Sequence, residues 1–223
     1  MDCAVAHPYG QLQLDLRGIP PLTQGELALE WLESISEPWG LASLVAVLQV
    51  EDEETREVRA ERRHWIWHLQ NRLSEDGFGM VGGAEVVWLY YESLRCYIAQ
   101  NDVAAILCAH ALCERALAAF LEMRDALDER LARAGLGPVA AAAHAAGLID
   151  EPLLQDLKVI NETRKVIAHF RLPFDPHSVH ARLIAAHPNA NEAFDVESMI
   201  KSDAEAALTA ATRVIVGLNA SWG

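Results

Sequence analysis

Apolar residues recur at spacings of three and four along most of the chain, the period of an amphipathic helix. Strict apolar–polar alternation is confined to Gln11-Leu12-Gln13-Leu14-Asp15-Leu16, a lone strand or an arm that Gly18-Ile19-Pro20-Pro21 ends. Thr23-Gln24-Gly25-Glu26 is a capping-box pattern and opens a helix through about Ser34. Pro38 suits the first turn of a second helix through about Val50, and helix-compatible sequence resumes after the acidic Glu51–Glu54 and runs to Leu73. Residues 74–83 hold four glycines in ten positions, the clearest loop of the chain. The boundary between an N-terminal helical extension, 1–81, and a helical bundle, 82–223, is placed there. The bundle reads as helices over 84–99, 102–134 and 138–146, then a helix capped by Asp150 with Pro152 in its first turn. Leu172-Pro173-Phe174-Asp175-Pro176 ends that helix, and a capping box at Ser202-Asp203-Ala204-Glu205 opens the last one, through about Leu218. The expected fold class is all-α.

Two of the helical stripes carry a charge where a core residue belongs. Leu153, Leu157, Ile160, Arg164 and Ile167 fall on one face, which sets Arg164 inside an apolar seam. A guanidinium does not lose its proton, and burying it unpaired costs on the order of several kcal/mol. On the 102–134 helix, Leu107, His110, Glu114, Leu117 and Leu121 form a second stripe with Glu114 as its charge. The two helices are therefore expected to pack with Glu114 against Arg164. Such a pair is a register-fixing structural contact or part of a site; the pattern leaves both open. Five residues after Arg164 comes His169, whose charge changes near neutral pH.

Charge narrows the partners. Lys and Arg total 18 against 32 Asp and Glu, a net charge of −14. Phosphate contacts supply most nonspecific nucleic-acid affinity, so an extended nucleic-acid surface is disfavoured. A local basic cleft remains open, because Lys158, Arg164 and Lys165 share one helix with Arg171 just beyond it. No apolar run reaches 18 residues and the N-terminus lacks signal-peptide features, so no membrane span is expected and the location is expected to be cytoplasmic. The four cysteines, Cys3, Cys96, Cys108 and Cys113, make no Cys-x2-Cys pair and read as reduced thiols.

Other constellations have structural readings that outweigh functional ones. Glu61, His64 and His68 share a helical face at a spacing compatible with a divalent metal. An amphipathic segment anchored by Trp65 and Trp67 is the preferred reading, so neither a metal site nor a cofactor is expected. His177 and His180 read as surface positions. Trp88, Tyr90 and Tyr91 could stack a base, but core packing is preferred. There is no serine hydrolase elbow, P-loop or dinucleotide glycine fingerprint.

The alanine-rich run Ala104-Ala105-Ile106-Leu107-Cys108-Ala109-His110-Ala111-Leu112-Cys113-Glu114, followed by a helix that ends Arg164-x4-His169, resembles the HEPN superfamily of all-α domains. Gly147-Leu148-Ile149-Asp150 through Ala168-His169-Phe170 is similar to the mannitol operon repressor branch. The resemblance covers roughly residues 84–219 and implies an HEPN-like bundle that pairs as a homodimer. Two functions follow from it. One is a non-catalytic regulatory or protein-interaction module. The other is a metal-independent endoribonuclease of toxin or defence type. In the second, Arg164 would hold the scissile phosphate, His169 would act as general acid or base, and Glu114 would orient Arg164, with Lys165 and Asn161 on the substrate. Active members of the superfamily carry a small polar residue directly after the arginine. Lys165 departs from that pattern and, with the charge of −14, favours the non-catalytic module with a protein or RNA partner.

Overall fold

The computed structural model describes residues 44–73, 82–168, 175, 178–186 and 196–220. Eight α-helices and no strand occur among them, so the fold is an all-α bundle. The helices are α1 (Leu44–Leu73), α2 (Gly83–Ile98), α3 (Asp102–Met123), α4 (Glu129–Ala132), α5 (Leu136–Ala145), α6 (Glu151–Ala168), α7 (Val179–Ala186) and α8 (Val196–Ala220). The expected strand at 11–16 and the helix opened at Thr23 lie outside the described residues.

The chain divides into two compact units between Arg56 and Glu57. In the first, α1 runs without a break through the acidic Glu51–Glu54, where Thr55 Oγ1 donates to the Glu51 carbonyl at 2.8 Å. In the second, residues 57–73 join the same unit as the bundle, although sequence grouped them with the extension. Their inward side chains explain this: Arg62, Ile66 and Leu69 are buried. Trp65 rests on Tyr97 with ring centroids 5.2 Å apart, and Gln70 Nε2 donates to the Tyr90 hydroxyl at 2.7 Å. The register 65/97 and 70/90 makes this part of α1 antiparallel to α2.

At the centre lies α3, which packs on α2, α5, α6 and α8. Ala105, Ala109 and Ala116 let these neighbours approach closely, while Ile106, Leu112, Leu117 and Leu121 fill the space between them, all fully buried. Truncating one such leucine to alanine costs roughly 2–5 kcal/mol. By length and composition α3 also passes as a membrane-crossing helix, with a mean hydropathy of 1.6 and half of that stretch buried inside the bundle. At the entry to α2, Gly82 has φ 112°, and a Cβ there would stand 2.7 Å from Val86 Cγ2, so the turn admits only glycine.

Several element boundaries differ from the sequence reading. The expected 102–134 helix stops at Met123: Asp125 takes φ 54°, and Asp128 starts α4 anew by accepting from the Leu131 amide at 2.6 Å. The capping box at Ser202 is not used, because α8 begins at Val196 and runs through it. Two of the box's carboxylates are engaged in tertiary contacts instead. Asp203 takes the Arg182 fork through two 2.7 Å bonds, and Glu205 accepts from the Tyr97 hydroxyl at 2.6 Å. Asp150 caps α6 as expected, accepting from the Leu153 amide at 2.8 Å.

Candidate functional site

The face of α3 that carries His110 and Glu114 meets the second half of α6. The apolar seam of α6 is fully buried through Ile160 and then thins: from Asn161 to Ile167 every residue is half-buried, with Ile167 still packed against the core. Arg164 lies between Ile160 and Ile167 on that stripe, half-buried and not enclosed. The start of α5 closes the site from below. A Cβ on Gly137 would be 3.3 Å from Asn161 Nδ2, and one on Gly135, which has φ 80°, would be 3.8 Å from Glu114 Oε2.

His110 is the most enclosed polar group of the site, at 7% exposure. Its Nε2 is 3.1 Å from Asn161 Oδ1. A carbonyl oxygen only accepts, so Nε2 carries the hydrogen and donates it. Burial pulls the His110 pKa below its usual value; Asn161 and the Glu114 charge oppose this, and the Arg164 and Lys165 charges add to it. His110 is thus a neutral imidazole near neutral pH, set between a carboxylate and two cations. Lys165 Nζ holds Glu162 at 2.6 Å on its own helix, with both side chains about two-fifths exposed.

Of the residues singled out from sequence, Glu114, Asn161, Arg164 and Lys165 do surround one place. Among the described residues, Glu114 and Arg164 share His110 as a neighbour and form no direct salt bridge with each other. His169 lies outside the described residues. His110 was legible only as a member of an apolar stripe; the usable signal was a histidine one turn before the stripe's lone carboxylate.

The buried ion pair that the sequence led one to expect exists elsewhere. Arg62 on α1 is 2% exposed and Asp102, the first residue of α3, is 6% exposed. The Arg62 fork grips both Asp102 oxygens, with Nη2 to Oδ2 at 2.9 Å, and Nη1 also donates to the Tyr97 carbonyl at 2.7 Å. The guanidinium lies over the Tyr97 ring at 4.7 Å. Burial works against the Arg62 charge, but Asp102 outweighs it and the pKa stays above its usual value. Burial and the Glu205 carboxylate raise the Tyr97 pKa. Asn101 holds the N-cap position of α3 and makes no side-chain capping bond, while the Asp102 carboxylate faces Arg62.

The remaining candidates separate on burial. Tyr90 is core, whereas Trp88 is 60% and Trp67 is 57% exposed, so these two tryptophans are not the packing anchors the sequence suggested. His180 is exposed and His177 lies outside the described residues. Cys96, Cys108 and Cys113 are free thiols, and full burial pushes Cys113 up to about 12. Among the described residues no three histidine, cysteine, aspartate or glutamate side chains gather as a metal cluster.

No family model, curated protein or solved structure matches this chain.

Proposed function

We propose that this chain is a non-catalytic interaction module of HEPN type, working in the cytoplasm as a symmetric dimer with a protein partner. The observation that supports this reading most is internal engagement of the residues a substrate would need. Asn161 is bonded to His110 and Lys165 to Glu162, so both would have to leave protein partners to reach a phosphate. A half-buried network satisfied from within fixes helix register and costs free energy to open. The net charge of −14 points the same way, since it repels an RNA backbone at every approach but a local one.

The test is cleavage of varied RNAs with EDTA present, using wild type, Arg164→Ala, His169→Ala and Lys165→Asn. The expected outcome is silence from all four, with wild type a dimer by light scattering. Chelator-resistant cleavage by wild type that Arg164→Ala and His169→Ala abolish would replace this reading with the endoribonuclease. In that case His169 would supply roughly 10²–10⁴-fold of the rate as general acid or base.

A further inference from the structure

His64 and His68 stand one turn apart on α1, both exposed, with their Nε2 atoms 2.9 Å apart. The rings meet edge to face, 4.3 Å between centroids and 89° between planes. Trp67 flanks both: its ring lies 6.3 Å from that of His64, nearly parallel to it, and 4.9 Å from that of His68. The two nitrogens closest to one another are also the two farthest from the helix backbone, where an imidazole binds a metal ion without strain.

The separation carries chemical information. Metal–imidazole bonds are about 2.0–2.1 Å long. Two such bonds at a right angle put their nitrogens about 2.9 Å apart, and at a tetrahedral angle about 3.3–3.4 Å. The observed spacing matches adjacent corners of a square-planar or octahedral ion. It also fits one shared N–H···N hydrogen bond, and the hydrogen of that bond is the one a metal ion would displace.

We propose that His64 and His68 form a bidentate site for a divalent late transition-metal ion of tetragonal preference, of the nickel and copper class, with water in the remaining positions. Glu61, which shares the helical face, is not a ligand, because its Oε1 is directed to Lys201 Nζ at 3.6 Å. With no third protein ligand gathered among the described residues, the site is an open chelate and not a closed structural cage. Imidazole nitrogen suits these ions, and the usual order of affinity places copper above nickel, and zinc below copper. The bent spacing adds a preference for nickel over zinc that a tetrahedral site would not have.

Nickel is the probe to use, because it does not oxidise the free thiols of Cys96, Cys108 and Cys113. The full chain is titrated with Ni²⁺ by calorimetry, alongside His64→Gln, His68→Gln and, as a control, His180→Gln. Wild type and His180→Gln are expected to bind one more nickel ion than the other two. The single remaining imidazole in each of those should hold it at least about tenfold more weakly, since the second ligand then arrives from solution and not from the same helix turn. Zn²⁺ is expected to bind this site more weakly than Ni²⁺. Nickel binding that is unchanged in both His64→Gln and His68→Gln would overturn the site. Zinc binding there more tightly than nickel would overturn the tetragonal assignment. Both positions are exposed, and circular dichroism of each variant should match that of wild type.

Discussion

The two polar clusters of the bundle, one around Arg62 and Asp102 and one around His110 and Asn161, look alike in composition and differ in enclosure. Both join an arginine, a carboxylate and an aromatic or imidazole ring across helices. The first is sealed: a two-pronged guanidinium–carboxylate pair, 2% and 6% exposed, with a backbone carbonyl and a tyrosine ring beside it and the buried Arg62 Nε without a hydrogen-bond partner among the described residues. The second is graded: His110 is enclosed, while Glu114, Asn161, Arg164 and Lys165 are half-buried around it. A sealed pair fixes how α1 meets the α2–α3 corner. A graded cluster keeps its cations half-buried, with Lys165 held by Glu162. The same residue types are thus enclosed in one place and half-covered in the other, and the difference lies in what covers them.

This contrast breaks most sharply on Asp102. Asp102→Ala leaves Arg62 buried without its carboxylate and is expected to cost about 3–5 kcal/mol. Arg164→Ala, at a half-buried position, should cost about 1 kcal/mol or less. Urea denaturation of the two variants measures the gap, and equal losses would erase the distinction between the clusters.

The interior of the second cluster gives a smaller effect. Asn161→Ala removes the acceptor of a buried imidazole N–H and should cost about 1–3 kcal/mol. His110 also links stability to pH. Its folded pKa lies below the unfolded value of 6.5, so below that pH the unfolded chain binds a proton that the folded chain resists. Stability from this group is fully present above pH 6.5 and is lost as pH falls through the folded pKa. Compared with wild type, His110→Gln should lose less stability between pH 7 and pH 5, as thermal melts at about five pH values would show. A parallel decline in both proteins would mean that His110 is not the enclosed group described.

The smallest change belongs to the outermost pair. Lys165→Ala breaks a contact to Glu162 three residues away on a half-buried helix face and should shift stability by about 0.5 kcal/mol or less. A loss above about 1 kcal/mol in urea would place Lys165 in the sealed class.

Sequence made the helical architecture legible, because apolar spacing and the Asp150 cap depend on neighbours within a turn or two. It failed where a local signal was overruled by a distant partner. Ser202-Asp203-Ala204-Glu205 has every property of a capping box, yet Asp203 and Glu205 are engaged by Arg182 and Tyr97 from other helices. Asp102 likewise looks like part of a cap until Arg62, forty positions upstream, is brought beside it. Arg62 itself gave no warning, being one of a run of charged residues on a helix that sequence took for an appendage. The Glu114 and Arg164 stripes both border His110, but α6 is only half covered from Asn161 to Ile167. Periodicity alone does not report how deeply a stripe is covered.

The central position of α3 also sets an order of events during synthesis. Of the four helices that cover it, only α2 precedes it in the chain; α5, α6 and α8 are all made later. Between the emergence of Met123 and that of Val196, this apolar helix lacks the flank that α8 will supply. A ribosome that stalls late in that interval therefore holds a bundle open along one side of α3, an apolar strip that a chaperone would bind.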